Sequence, residues 1–252
     1  MTTPTPDKIQ TAVVTGGARG FGAEAVRALH RAGFRVVISD IEPEPAAALA
    51  AELDLAGDTA VSVTLDVSKP EDFQAVLDKC IERWGSVEVL VNNAARTAVQ
   101  GLLEIDPADF NAVLATNAGG TFAGSQIFGR HFKARGYGRI VNLASLAGQN
   151  GGTATGAHYA ASKGAILTLT KIFARDLAPF GVTCNAIAPG PMDTPMVRSV
   201  LGGNLEQAVA NIPVGSLGDP HFVAELVALL ASPRAAFVNG ACWDVNGGIY
   251  MR

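Results

Sequence analysis

Short apolar runs rich in β-branched residues recur along the chain and alternate with longer stretches of helical periodicity. The runs are Thr11–Thr15, Arg35–Ser39, Ala60–Leu65, Val87–Val91, Arg139–Leu143, Val182–Ala188 and Cys242–Val245. Most are continuous rather than alternating, the pattern of parallel strands covered on both faces. Between the first two, Gly22–Ala32 sets Ala25, Val26, Leu29 and Ala32 at helical spacing and stops at Gly33, a residue suited to a left-handed C-terminal turn. Ser68-Lys69-Pro70-Glu71 reads as a capping box opening a helix to about Trp84. Asp106-Pro107 and Asp219-Pro220 each supply an N-cap followed by proline at the first helical position. The last long helical stretch before the sixth run is Ala157–Leu177. This succession implies right-handed crossovers and an α/β, Rossmann-type doubly wound sheet, seven parallel strands with helices on both faces. No linker, repeat or low-complexity tract interrupts it, so one domain over residues 1–252 is expected. The proline- and glycine-rich segment 189–219 reads as a substrate lid after a strand.

Composition narrows the function classes. Charged residues make up 17%, against about 25% in typical domains. The deficit points to surface buried in a two-faced core or between subunits. A net charge of -4 argues against a nucleic-acid partner. No apolar run is long enough to span a membrane, and the first ten residues lack the apolar stretch of a signal peptide. Cys80, Cys184 and Cys242 are scattered, which suits a reducing, cytoplasmic setting; with four dispersed histidines they suggest no metal site.

Candidate chemistry clusters at strand ends. Thr15-Gly16-Gly17-Ala18-Arg19-Gly20-Phe21-Gly22 joins the first strand to the first helix. Glycines let the backbone approach a pyrophosphate, and the helix N-terminus offers amides and a positive dipole end. Asp40 ends the second strand, about 20 residues on, where a carboxylate accepts from ribose hydroxyls and repels an added 2′-phosphate. Arg19 pulls the other way, since a cation there suits that phosphate. Asp40 weighs more, so NAD(H) is expected to be preferred, with some NADP(H) use.

Tyr159 and Lys163 stand four apart on one helical face. A lysine cation near a phenol, aided by an oxidised nicotinamide, favours the phenolate and lowers its pKa, and the lysine can also hold the nicotinamide ribose. Ser145 follows the fifth strand, where it can hold a substrate oxygen or serve as a turn serine. Asn117 lies inside the helix opened by Asp106-Pro107, with either a structural role or that of holding a water on Lys163.

These motifs together, from Thr11 to Gly248, resemble the compact branch of the short-chain dehydrogenase/reductase family. The T-G-x-x-x-G-x-G motif falls on Thr15, Gly16, Gly20 and Gly22, and the N-N-A-G motif appears as Asn92-Asn93-Ala94-Ala95, with alanine for the usual glycine. The resemblance implies a catalytic tetrad of Asn117, Ser145, Tyr159 and Lys163. It implies adenine contacts at Asp66-Val67, and carboxamide contacts at Pro189-Gly190 and Thr194. The cofactor set is then Gly16, Arg19, Gly20, Phe21, Gly22, Asp40, Ile41, Asp66, Val67, Asn93, Ala94, Tyr159, Lys163, Pro189, Gly190 and Thr194. One residue more than the family commonly carries separates Ser145 from Tyr159, within Gln149–Gly156. The implied activity is hydride transfer between nicotinamide and a secondary alcohol or ketone, in a homotetramer. A 3-oxoacyl-carrier-protein reductase is the rival enzyme: Ile212-Pro213-Val214-Gly215 and Asn246–Met251 resemble those enzymes, and Arg135 and Arg175 offer charge for an acidic carrier. A non-catalytic NAD-sensing module is disfavoured because Tyr159 and Lys163 are both present. Arg96, Leu146, Asn150, Met192 and Met196, with Val197 and Leu201, are the expected substrate wall. Being mostly apolar, it suits uncharged, moderately bulky ketones.

Overall fold

The computed structural model describes residues 9–97, 99–152, 155–194, 197–198 and 205–252. Its strands are β1 (Thr11–Thr15), β2 (Arg35–Asp40), β3 (Ala60–Thr64), β4 (Val89–Asn92), β5 (Gly138–Leu143), β6 (Val182–Pro189) and β7 (Cys242–Val245). They form one seven-stranded sheet, order β3-β2-β1-β4-β5-β6-β7, with every pairing parallel. The order reverses between β1 and β4, so the crevice at their carboxyl ends is the place where such sheets bind ligands. The helices are α1 (Gly20–Arg31), α2 (Pro43–Leu53), α3 (Pro70–Trp84), α4 (Pro107–Leu114), α5 (Gly120–Arg135), α6 (Ala147–Asn150), α7 (Ala157–Leu177), α8 (Leu205–Ala210) and α9 (Pro220–Ala231).

Each face of the sheet carries its own core. Val14, Val36 and Ile38 point to the side covered by Leu29 of α1, Leu49 of α2 and Leu230 of α9. Val13, Val37 and Leu90 point to the other side, against Phe73 of α3 and Phe128 of α5. Residues on both faces are fully buried, so the strands read as continuous apolar runs. Each buried aliphatic side chain contributes about 1.5–3 kcal/mol.

Several expected boundaries move. The fourth strand begins at Val89 rather than Val87, and just ahead of it the Glu88 carboxylate accepts from the Thr11 amide at 2.7 Å while the Glu88 amide donates to the Thr11 carbonyl. The capping box at Ser68 does not form. The Ser68 hydroxyl donates instead to Asp66, 2.7 Å away, and α3 starts after Lys69 with no side-chain cap. Pro70 has no N–H to satisfy, which lowers the need for one. The other two caps do form: Asp106 accepts from the Ala108 amide and Asp219 from the His221 amide.

Arg139 is 1% exposed within β5. It donates to the carbonyls of Gly138, Gly181 and Ser232 and stacks on Tyr137. Gly181 and Ser232 close the Ala178–Phe180 turn and α9, so the cation sits at the negative ends of helical segments.

Candidate active site

The turn after β1 fits a dinucleotide phosphate. Gly16 and Gly20 have φ of 61° and 54°, backbone that favours glycine. A Cβ at Gly16 would lie 2.8 Å from Ala94 Cα, so the loop meets the end of β4 backbone to backbone. At Gly20 a Cβ would meet no heavy atom within 4 Å, which leaves an open approach over the start of α1. Arg19, the N-cap of α1, supplies no side-chain cap, so first-turn amides, which have no acceptor within a helix, are left without a side-chain partner from it. These features together make a cradle into which a pyrophosphate fits.

Thr15 and Asn93 lock the cradle to β4. Thr15 Oγ1 accepts from the amides of Asn93 and Ala94, each at 3.1 Å. Asn93 Nδ2 donates to the carbonyls of Thr15 and Gly16. Ala95 is accommodated without strain: among the described residues no non-glycine has a positive φ.

Asp40 stands where the ribose reading needs it, at the end of β2. Its Oδ2 accepts from the Ala18 amide at 3.0 Å and its Oδ1 from the Glu42 amide at 3.1 Å. The carboxylate is thereby aimed at the glycine loop, with lone pairs left over for hydroxyl donors. Arg19 turns to Glu42, 2.9 Å away. Ile41 is exposed beside Asp40, and Phe21 packs partly against the core. Asp66 accepts from both the amide and the hydroxyl of Ser68, which holds its carboxyl below the usual range. Val67 is buried against Gly120 at the start of α5.

The helix opened by Asp106-Pro107 carries a π turn at Ala115–Gly119, and Asn117 lies in it. Such turns concentrate at functional sites. The Asn117 side chain is fully buried. Its Oδ1 accepts from the Arg96 amide at 2.7 Å, and its Nδ2 donates to the Arg96 carbonyl and to Ser162 Oγ, both at 2.9 Å. Ser162 in turn donates to the Tyr159 carbonyl. The side chain therefore ties the segment after β4 to α7 through both Nδ2 hydrogens and one lone pair of Oδ1. The structural role is thus visible in the side chain, and the π turn sets Asn117 on the α7 side of the site through Ser162.

Tyr159, Lys163 and Ser145 converge as expected. Lys163 is 3% exposed, its Nζ donates to the Leu143 carbonyl at 2.5 Å, and it lies 5.6 Å from the Tyr159 ring centroid. Burial pulls the Lys163 ammonium down to about 8. Burial also pushes the Tyr159 phenol up, and a hydrogen bond from the Ser145 hydroxyl counters it. In the chain alone desolvation dominates at Tyr159, and Lys163 directs its ammonium at the Leu143 carbonyl.

Gly190 is pressed on Asn246, where a Cβ would come within 2.9 Å of its Cα, and its amide donates to Val245. Thr194 Oγ1 accepts from the Val197 amide. Met192 is a correction to the substrate wall. It is 3% exposed, belongs to the core, and bridges to Gly218, tying the two ends of the segment 191–218 together. Asn150 Oδ1 accepts from the Gly152 amide at 2.9 Å, which leaves its Nδ2 donors available. Arg96 is over half exposed and faces Asp109 at 3.9 Å, and Leu146 is nearly buried. Met196 and Leu201 lie outside the described residues.

Sequence reasoning missed three features. His158, next to Tyr159, is buried and accepts the Tyr159 amide on Nδ1. Asn92 and Asn142, register partners on β4 and β5, bond to each other and to Ser125 and Thr170 under the site; an asparagine closing two apolar runs was the available signal. Gln149, Asp244 and Arg252 also converge, though nothing in their spacing announces it.

A parallel doubly wound sheet, a glycine cradle at its switch point and a Tyr–Lys–Ser cluster beside it define a nucleotide-dependent oxidoreductase. The family model described as enoyl-(acyl carrier protein) reductase matches residues 16–250. A 3-oxoacyl-(acyl-carrier-protein) reductase of Vibrio cholerae is 36% identical, covering 96% of this chain and 98% of that protein. A 4-formylbenzenesulfonate dehydrogenase of Comamonas testosteroni is 38% identical, covering 95% and 97%. A solved structure assigned as a gluconate dehydrogenase from Agrobacterium tumefaciens superposes with a TM-score of 0.89 at 31% identity, covering 95% of each chain. The chain belongs to the short-chain dehydrogenase/reductase family.

Proposed function

We propose that this oxidoreductase uses NAD(H) to interconvert a secondary alcohol and its ketone. The observation that carries the reading is the Ser145–Tyr159–Lys163 cluster beside the glycine cradle. When bound, the nicotinamide supplies the hydride for reduction and takes it in oxidation. Ser145 donates a hydrogen bond to the carbonyl oxygen, and Tyr159 gives that oxygen its proton, so both stabilise charge that develops there. Lys163 holds the nicotinamide ribose and supplies positive charge beneath the phenol. Turnover of NADH against a panel of ketones and 3-oxoacyl thioesters tests the activity. The thioesters are included because relatives at 34–36% identity are 3-oxoacyl-(acyl-carrier-protein) reductases. Against a carrier role, Arg175 is engaged with Asp176.

Asp40 supports NAD(H) over NADP(H), and the Arg19–Glu42 pair reinforces it by occupying the cation that a 2′-phosphate would seek. The expected result is a higher kcat/KM with NADH than with NADPH, with residual NADPH use. The reverse order would overturn this part of the reading.

The reading includes a homotetramer built on α4–α5, α7 and the β7 region. Phe122 of α5 and Ile172 of α7 are exposed, and Phe122 lies 6.0 Å from Phe173, an apolar face that association would cover. Light scattering at micromolar concentration should give four times the chain mass; a monomer would refute it. The free thiols Cys80, Cys184 and Cys242 suit the reducing cytoplasm.

A further inference from the structure

Ser145 is followed almost at once by α6, a single short turn, and then by the glycine-rich stretch bordering the substrate. One side of α6 rests on the catalytic helix without slack. A Cβ at Gly148 would lie 2.6 Å from the Lys163 carbonyl carbon and 2.7 Å from the Gly164 amide nitrogen. The start of the segment is tied to β6, where the Leu146 amide donates to the Pro189 carbonyl. Its far end is held from β7. Gln149 Nε2 donates to Asp244 Oδ1 at 2.6 Å. Arg252 grips the same carboxylate with Nε on Oδ2 at 2.9 Å and a second guanidinium nitrogen on Oδ1 at 3.0 Å. That second nitrogen also donates to the Cys242 carbonyl at 2.7 Å.

A simple exposed ion pair contributes little. This carboxylate differs in being gripped bidentately by a planar guanidinium, which fixes its orientation as well as its charge. Gln149 reads that fixed orientation. Asp244 is 23% exposed and Arg252 45% at the side chain, so both can be changed without opening a cavity in the core.

We propose that Asp244, oriented by Arg252, is a positioning residue that holds α6 through Gln149 and thereby sets where Ser145 and the stretch from Gly151 stand relative to Tyr159. The proposal rests on the reading of Ser145 as the group that holds the substrate oxygen. It assigns substrate selectivity to a contact between β7 and α6, outside the cofactor cradle.

The test compares D244N, R252A and the double variant with the unaltered protein. Hydrogen exchange is followed over Ser145–Gly152, with Thr11–Arg31 as the control. Exchange at Ala147–Gly151 is expected to accelerate about tenfold in each single variant, a local opening. No further gain is expected in the double variant, since both changes break one unit. With ethyl acetoacetate and 4-formylbenzoate as probe carbonyls, KM for the carbonyl should rise several-fold, roughly three to ten, because the oxygen-holding group is displaced. KM for NADH, the thermal midpoint and the mass by light scattering should stay put, since the contact lies within one chain. Unchanged exchange in both single variants overturns the proposal, whether or not either probe turns over. Equal rises in both KM values with a fallen midpoint also overturn it, since that is a general structural loss. If the unaltered protein turns over no carbonyl at all, the functional reading fails, and the exchange result still decides the positioning claim.

Discussion

Tyr159→Phe is expected to keep NADH affinity within a factor of about two and to lose about 10³-fold or more in kcat, within the range that a positioned acid contributes. That loss corresponds to about 4 kcal/mol of barrier. The argument is one of isolation. Phenylalanine preserves the ring and its packing, while only the titrating hydroxyl and its hydrogen bond with Ser145 disappear. The nucleotide cradle, built from Gly16, Gly20, Thr15 and Asn93, is untouched. Burial pushes the phenol up, so it is protonated at neutral pH and ready to act as an acid in reduction. Oxidation needs the phenolate, so its rate should climb as pH rises through the neutral-to-alkaline range while reduction stays high. Equilibrium binding of NADH by fluorescence, beside steady-state rates in both directions, checks both parts. A variant that retains wild-type kcat would remove Tyr159 from the chemistry.

Much of the candidate site is legible in the sequence because a dinucleotide cradle demands a particular backbone geometry, and backbone geometry selects residues. Gly16 and Gly20 adopt positive φ, which few other residues tolerate, so their spacing is visible in the letters. Asp40 was legible because a strand end fixes where its carboxylate points. The seven strands were legible for a related reason: a sheet covered on both faces admits few polar positions, and the exceptions, such as Asn92, Asn142 and Arg139, are paired inside.

What the sequence does not reveal depends on which of several partners a side chain takes. Asn117 as a side-chain tie needs Arg96 and Ser162, brought in from other elements. The capping box at Ser68 has the right letters, yet Asp66, two residues away, outbids the helix for the hydroxyl. Met192 suits a pocket by composition, but its place against Gly218 puts it in the core. Asp244 meets Gln149 across 95 positions of chain, a contact that no local pattern encodes. Local rules held where one backbone conformation selects the residue, and they failed where a side chain had a choice of partners, near, as at Ser68, or distant, as at Asn117.

Lys163→Met should abolish turnover and also change how stability depends on pH. Lys163 is buried to 3% exposure, and burial lowers its pKa from 10.5 to about 8. The unfolded chain keeps the proton up to its ordinary value. Between about pH 8 and 10.5 the unfolded state therefore binds more protons at this site than the folded one, and stability rises with pH through that window. Below pH 8 the full cost of a buried ammonium is present, about 3 kcal/mol at 1.36 kcal/mol per unit. Methionine carries no such cost, but it forfeits the bond from Nζ to the Leu143 carbonyl and leaves that acceptor unmet, a loss of about 1–3 kcal/mol. The two effects nearly offset at neutral pH, so the variant should melt close to the parent there. By pH 10 the parent has recovered most of its cost and the variant has not changed, so the parent should be the more stable of the two. Thermal midpoints of both proteins from pH 6.5 to 10 provide the check. Parallel curves across that range would mean that Lys163 keeps an ordinary pKa in the folded chain, and that the ammonium beneath Tyr159 is far better solvated than its burial implies.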